Sequence, residues 1–215
     1  MSRDPAAPPR VLLRLEDLVA GYAAPVVGPV SCRLQAGEVV GLWGANGSGK
    51  STLLNAVAGA ARVFSGRIER APGLTLDYQE QRPVRLPIMP LTGRDLLRCA
   101  GVTVDRRPPG SLGEHLNRRL DRLSGGQYQL LSVWAALAGT ADLVLLDEPT
   151  NNLDPAHERL LAQVLTEPRA EGGERRAVLL VSHERAFLED ACTRVLEVAP
   201  GRPAEQVCSP RGCCA

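Results

Sequence analysis

The stretch GANGSGKST, Gly44 to Thr52, constrains this chain more than any other. It follows the apolar run Glu38 to Trp43, which predicts a short strand, and leads into KSTLLNAVAGA, whose apolar residues recur at helical spacing and close near Gly59. Strand, glycine loop and helix in that order satisfy the phosphate-loop spacing G-x-x-x-x-G-K-[ST] through Gly44, Gly49, Lys50 and Ser51. Small residues let successive backbone N–H groups turn inward around phosphate oxygens, and the helix start adds partial positive charge. Gly44, Ala45, Asn46, Gly47, Ser48 and Gly49 are therefore the expected cradle. Lys50 is the single lysine among 25 basic residues, all the others being arginine. A slender stem with a compact charge fits between terminal phosphates, whereas a planar guanidinium fork is wider and demands another geometry. Ser51 is expected to place its hydroxyl on Mg2+, and Thr52 to donate to an inner phosphate.

A second segment completes the site. In LVLLDEPT a continuous apolar run predicts a buried strand that delivers Asp147 to its carboxyl end, where parallel sheets place ligands. Asp147 can hold Mg2+ through water, and the adjacent Glu148 can reach the attacking water near a γ-phosphate as general base or water-positioner.

The rest of the chain fits an α/β domain with a mainly parallel central sheet. RVLLRLEDLVAGY mixes apolar and charged positions like an exposed strand, and VVGPVSCRLQAGEVVGLWG gives two β-rich runs with a hairpin-like pause at Ala36-Gly37. SGRIERAPGLTLDYQEQ predicts further short strands, with Leu74 to Tyr78 running into the sheet. Pro83 to Arg122, rich in Pro, Gly and Arg, predicts an inserted helical piece with helices around Gly93 to Ala100 and Gly113 to Leu120. Helices over GGQYQLLSVWAALAG and Pro155 to Leu165, a buried strand in RAVLLVSHE and a last element in TRVLEVA complete the pattern.

Composition narrows the partners. A net charge of +1 leaves no bulk attraction to nucleic acid or an anionic membrane, so any anion must be bound locally, and no nucleic-acid partner is expected. No apolar run approaches a membrane span and MSRDPAAPPR lacks a secretory core, which predicts a cytosolic chain. The six cysteines show no disulfide-framework spacing, as fits reduced thiols.

LSGGQ, Leu123 to Gln127, lies between the two phosphate-site motifs, and with it the chain resembles the ATP-binding cassette (ABC) ATPases from about Val11 to Val198. Physically, Ser124 and the amides of Gly125 and Gly126 open a helix, a second anion site made of backbone donors. The resemblance implies a P-loop NTPase fold with an N-terminal antiparallel β subdomain and a helical signature subdomain inserted at about 83–138. It also implies a head-to-tail dimer in which Ser124, Gly125, Gly126 and Gln127 of one copy close over ATP and Mg2+ held by the other. By the same resemblance, Gln79 in DYQEQ is the glutamine that contacts Mg2+ and water, with Gln81 as the alternative register. His183 in LLVSHE touches the γ-phosphate, Asp154 in TNNLD lies at the dimer seam, and Tyr22 stacks on adenine. Tyr128 and Gln129 depart from the basic residues that often follow the signature.

Family resemblance extends to branches. One cassette without a membrane span, a short SGRIERAPGLTLDYQ and the following RLPIMPLTGRDLL are similar to the zinc and manganese importers. That branch implies a separate membrane permease, a periplasmic or extracellular binding protein acting indirectly, and a place on the cytoplasmic face of the membrane. DEPTNNLD and VSHERAFLEDACTRVLEV are similar instead to soluble translation factors, which carry two cassettes, and other ABC importers and exporters share the same chemistry. Residues 1–10 read as a disordered start. The tail 200–215 ends in CSPRGCCA, where Cys208, Cys213 and Cys214 can bind a soft metal or form a mobile thiol tail.

Overall fold

A computed structural model of the chain describes residues 9–81, 90–103, 108–151, 153–166, 176–199 and 203–207. The first two strands, β1 (Val11–Gly21) and β2 (Pro25–Gln35), pair antiparallel. After β3 (Val39–Trp43) and α1 (Lys50–Ala58) the chain returns as β4 (Arg62–Arg70) against the other edge of β1, giving a three-stranded sheet in the order β2-β1-β4. So β1 is the central strand, and the expectation of an exposed strand is corrected: Leu12, Leu13, Leu15 and Leu18 are buried. Its charges sit in a cross-strand ladder with β4, in which Arg67 Nη2 meets Glu16 Oε2 at 2.6 Å and Arg14 Nε meets Glu69 Oε2 at 3.9 Å. Nor do β2 and β3 form a hairpin across Ala36-Gly37. They belong to different sheets, because β3 is drawn into the buried parallel one.

That second sheet is built from β5 (Leu76–Gln79), β6 (Leu143–Asp147), β7 (Ala177–Val181), β3, β8 (Arg194–Glu197) and β9 (Glu205–Val207), in that spatial order. The first five run parallel and β9 is antiparallel to β8. Every residue of LVLLD in β6 and AVLLV in β7 is buried, as a parallel strand covered on both faces requires. Within the tail expected at 200–215, Glu205–Val207 form the edge strand β9; residues 200–202 and 208–215, the latter with Cys208, Cys213 and Cys214, lie outside the described residues, as do residues 1–8 and 82–89.

Between β5 and β6 lie α2 (Gly93–Cys99) and α3 (Gly125–Ala138). The helix expected at Gly113 to Leu120 is replaced by short 3-10 segments, Gly110–His115 and Leu120–Arg122. Non-local backbone bonds are the reason. Gly93 N–H donates to Arg118 O at 3.1 Å, Arg94 N–H to Leu116 O at 2.9 Å and Leu120 N–H to Leu91 O at 2.8 Å, so this stretch is laid out alongside residues 91–94. α4 (Pro155–Thr166) precedes β7, and α5 (Arg185–Ala191) packs near β3. Among the described residues no helix is long and apolar enough to cross a membrane.

Candidate nucleotide site

Strand order decides which loops meet. Because β6, β7 and β3 are neighbours and parallel, the residues that follow each one emerge side by side at the carboxyl edge of the sheet. Asp147 is level with Val181, and Val181 with Leu42, so the glycine loop, the acidic pair and the Ser182-His183 turn start at one height. They enclose a cavity of about 510 Å3 lined by Gly47, Gly49, Lys50, Ser51 and Thr52 from one side and by Glu148, Asn151 and His183 from the other. Asn46 lines it as well.

The loop is held in conformations that favour glycine. Gly47 and Gly49 have φ of 79° and 94°, and Gly49 caps the start of α1. At Gly44, with φ of 151°, a Cβ would lie 2.2 Å from the carbonyl oxygen of Val198. Lys50 is 6% exposed. Its Nζ donates to Gly44 O at 2.8 Å and Ala45 O at 2.9 Å, leaving one of three ammonium protons for another acceptor. Burial pushes its pKa down, against the pull of Glu148 and Asp147 in the other direction. Ser48 is buried with its hydroxyl unpartnered, and it is not among the residues that line the cavity.

Ser51 Oγ donates to Asp147 Oδ1 at 3.0 Å, joining two sequence-predicted metal residues 96 positions apart. Burial raises the Asp147 pKa, with the Ser51 bond opposing. A hydroxyl beside a carboxylate is a hard-oxygen donor set of the sort Mg2+ uses, so these two side chains fit that ion. Tyr78, on β5, is a further neighbour of Asp147: burial first, and then the nearby Asp147 carboxylate, raise its phenol pKa. Glu148 sits at φ 52°, a left-handed backbone that an ordinary residue adopts only under constraint. Its Oε2 is 2.9 Å from His183 Nδ1, so the two residues named for chemistry touch.

The other expected residues divide. Gln79 pairs opposite Leu146 at the end of β5, and its Nε2 donates to Asp77 Oδ1 at 3.3 Å, away from the cavity; Gln81, two residues on, lines the cavity instead. Tyr22 is 54% exposed and its hydroxyl accepts from Asn55 Nδ2 at 2.9 Å. It is not among the lining residues, whereas Val26, a few positions later, is. Asp154 caps α4: its Oδ1 accepts the N–H groups of Ala156 and His157, each at 2.9 Å, and Oδ2 meets His157 Nδ1 at 2.7 Å.

The signature stretch is not brought to this cavity. Ser124 and Gln127 form a capping box at the start of α3, Ser124 Oγ accepting Gln127 N–H at 3.2 Å and Gln127 Oε1 accepting Ser124 N–H at 3.1 Å. The S-x-x-Q spacing carries that signal in the sequence. Gly125 and Gly126 are the first helical residues, where backbone amides lack partners within the helix.

Known proteins agree with this construction. The family pattern described as ABC transporter matches residues 27–92, and one described as an AAA domain matches 110–189. A zinc import ATP-binding protein, ZnuC, of Paracoccus denitrificans (strain Pd 1222) is 39% identical over 185 residues, 82% of this chain and 70% of that protein. ZnuC of Roseobacter denitrificans (strain ATCC 33942 / OCh 114) is 36% identical, with 86% of this chain and 74% of that protein covered. Among solved structures, the ATP-binding subunit of an ABC transporter superposes with a TM-score of 0.72 at 27% identity, covering 91% of this chain and 90% of that one. The phosphate-type loop, the acidic strand end beside it and this degree of identity place the chain in the family of ABC transporter ATP-binding proteins, and it is an ABC transporter ATPase.

Proposed function

We propose that the chain powers import of zinc or a closely related metal ion, acting as a head-to-tail dimer on the cytoplasmic face of a membrane beside a separate permease. The observation that carries the dimer is the separation within one chain of its two anion-binding parts. Lys50, Ser51, Glu148 and His183 share one cavity, while the helix start at Ser124 to Gln127 lies outside it. A second copy supplies the missing wall. The metal cargo is supported by the zinc import proteins at 39% and 36% identity. A periplasmic or extracellular metal-binding protein delivering ions to the permease belongs to the same reading.

In this mechanism the amides of the Gly44 to Gly49 loop and the third proton of Lys50 hold the terminal phosphates of ATP. Ser51 and Asp147 would hold Mg2+, which when bound neutralises charge on the β- and γ-phosphate oxygens. Gln81 takes the role expected of Gln79, since it is the glutamine at the cavity. Glu148 accepts the proton of the water that attacks the γ-phosphorus. His183 meets Glu148 through Nδ1; acting as the imidazolium, with both ring nitrogens donating, it gives Nδ1–H to Glu148 and Nε2–H to a γ-phosphate oxygen. Tyr22 stacks on the adenine from outside the described cavity, and Asp154 holds the segment at the seam by capping α4. From the partner copy, Ser124 and the Gly125 and Gly126 amides close over the same phosphates.

Complementation tests the composite site. Lys50→Ala and Ser124→Arg proteins should each be inactive, yet a heterodimer of the two retains one complete pocket, made of Lys50 from one copy and Ser124 from the other. Mixing equal amounts should restore roughly a quarter of the parental ATPase rate if subunits exchange freely and the two pockets act independently. Activity that stays at zero on mixing argues against shared pockets. For the cargo, host cells lacking the chain should accumulate less radioactive zinc under zinc starvation, with uptake restored by the parent and not by a Glu148→Gln variant. Unchanged uptake would remove zinc as the cargo.

A further inference from the structure

Two buried hydroxyls join the loops that carry Glu148 and His183. Thr150 is 2% exposed and Ser182 is fully buried; Thr150 Oγ1 and Ser182 Oγ lie 3.3 Å apart, either able to donate. Ser182 Oγ also accepts the N–H of Glu184 at 3.1 Å, and Ser182 N–H reaches Leu42 O at 3.4 Å, so one side chain and its backbone touch the ends of three structural pieces. On the other loop, Glu148 N–H donates to Val181 O at 3.0 Å and Glu148 O accepts Asn151 N–H at 3.2 Å around the left-handed backbone at Glu148. A residue in that conformation persists only where its surroundings over-determine it. The backbone bonds fix where the turn begins and ends. Beyond the Glu148 N–H to Val181 O bond at the strand ends, the side-chain bond between Thr150 and Ser182 ties that turn to the one bearing His183.

We infer that Thr150 and Ser182 are a positioning pair, a hydroxyl latch that holds the Glu148 and His183 turns as one body and so maintains the contact between the two reacting side chains. The inference rests on the proposed roles of Glu148 and His183. Neither hydroxyl lines the cavity, so the pair acts through its neighbours and not on the nucleotide. Because the carboxylate and imidazole meet at 2.9 Å, a small slip of one turn against the other separates them.

Thr150→Val removes the hydroxyl with little change of shape, and Ser182→Ala removes its partner. Each should lower kcat for ATP hydrolysis by about tenfold to a hundredfold, the effect of modest misplacement of catalytic groups, while KM for ATP stays within about twofold. The double variant should be no slower than the slower single variant, since the latch is already open in either. Thr150→Ser keeps the hydroxyl and should return kcat to within about twofold of the parent, which a purely packing role for the Thr150 methyl would not allow. Thermal unfolding midpoints and circular dichroism, recorded on all variants, confirm that assays run on folded protein. Glu148→Gln run in parallel separates the two levels. If it abolishes turnover while Thr150→Val and Ser182→Ala keep the parental kcat, the latch is wrong and the catalytic assignment stands. If Glu148→Gln turns over at the parental rate, the catalytic assignment fails and the latch fails with it.

Discussion

Replacing Glu148 with Gln is expected to cut ATP hydrolysis by about 100-fold to 10,000-fold, the usual worth of a positioned general base, while ATP stays bound. The substitution is nearly isosteric. Its carboxamide oxygen can still accept from His183 Nδ1, now 2.9 Å from the carboxylate, and Gln pays no more than Glu for the left-handed backbone at φ 52°. What disappears is the ability to take a proton from water. Lys50, Ser51 and Asp147 are untouched, so nucleotide affinity should be near parental, and with hydrolysis stopped the closed dimer should accumulate. Light scattering with ATP should then show twice the monomer mass with retained, unhydrolysed nucleotide. Parental turnover by the variant would remove Glu148 from its role.

Local and non-local information account for what was and was not legible in the sequence. The glycine loop with α1, and Asp147 at the end of β6, are contiguous patterns whose geometry depends on a handful of adjacent residues, and the structure brings them to one cavity. Gln79 against Gln81 was not decidable that way. Residues two apart in an extended chain point to the same face, so periodicity treats them alike, and only the end of β5 at Gln79, level with Leu146, leaves the later glutamine to reach the cavity. The stretch Gly113 to Leu120 has helical spacing but loses the competition to backbone bonds with residues 91–94, which lie more than twenty positions earlier in the chain. Likewise the mixed apolar and charged pattern of β1 suits a strand with one wet face. That the strand is central, with its charges answered by Glu69 and Arg67 of β4, depends on a partner some fifty residues away. Tyr78, Thr150 and Ser182 were missed for a related reason: each acts on a neighbouring loop or strand and none belongs to a contiguous phosphate motif.

The lysine that is unique in the sequence gives the second large effect. Lys50→Arg preserves charge, yet ATP affinity is expected to fall by about tenfold to 100-fold, the equivalent of losing the one charge-assisted hydrogen bond that the remaining Nζ proton makes to a phosphate. Nζ is buried between Gly44 O and Ala45 O at 2.8 and 2.9 Å, a seat sized for a compact ammonium inside a ring of small residues. A guanidinium there must either push those carbonyls apart or project into the space of the phosphates, and its planar fork cannot present one proton axially as an ammonium does. Direct binding measurements with ATP on the folded variant check the loss. Because no other lysine exists in the chain, an amine-acylating reagent gives an independent readout at this one side chain. Saturating ATP should protect Lys50 from acylation as read by peptide mass spectrometry, while adenosine, which lacks phosphates, should not. Equal labelling with and without ATP, together with parental affinity in Lys50→Arg, would mean that the phosphates are held elsewhere.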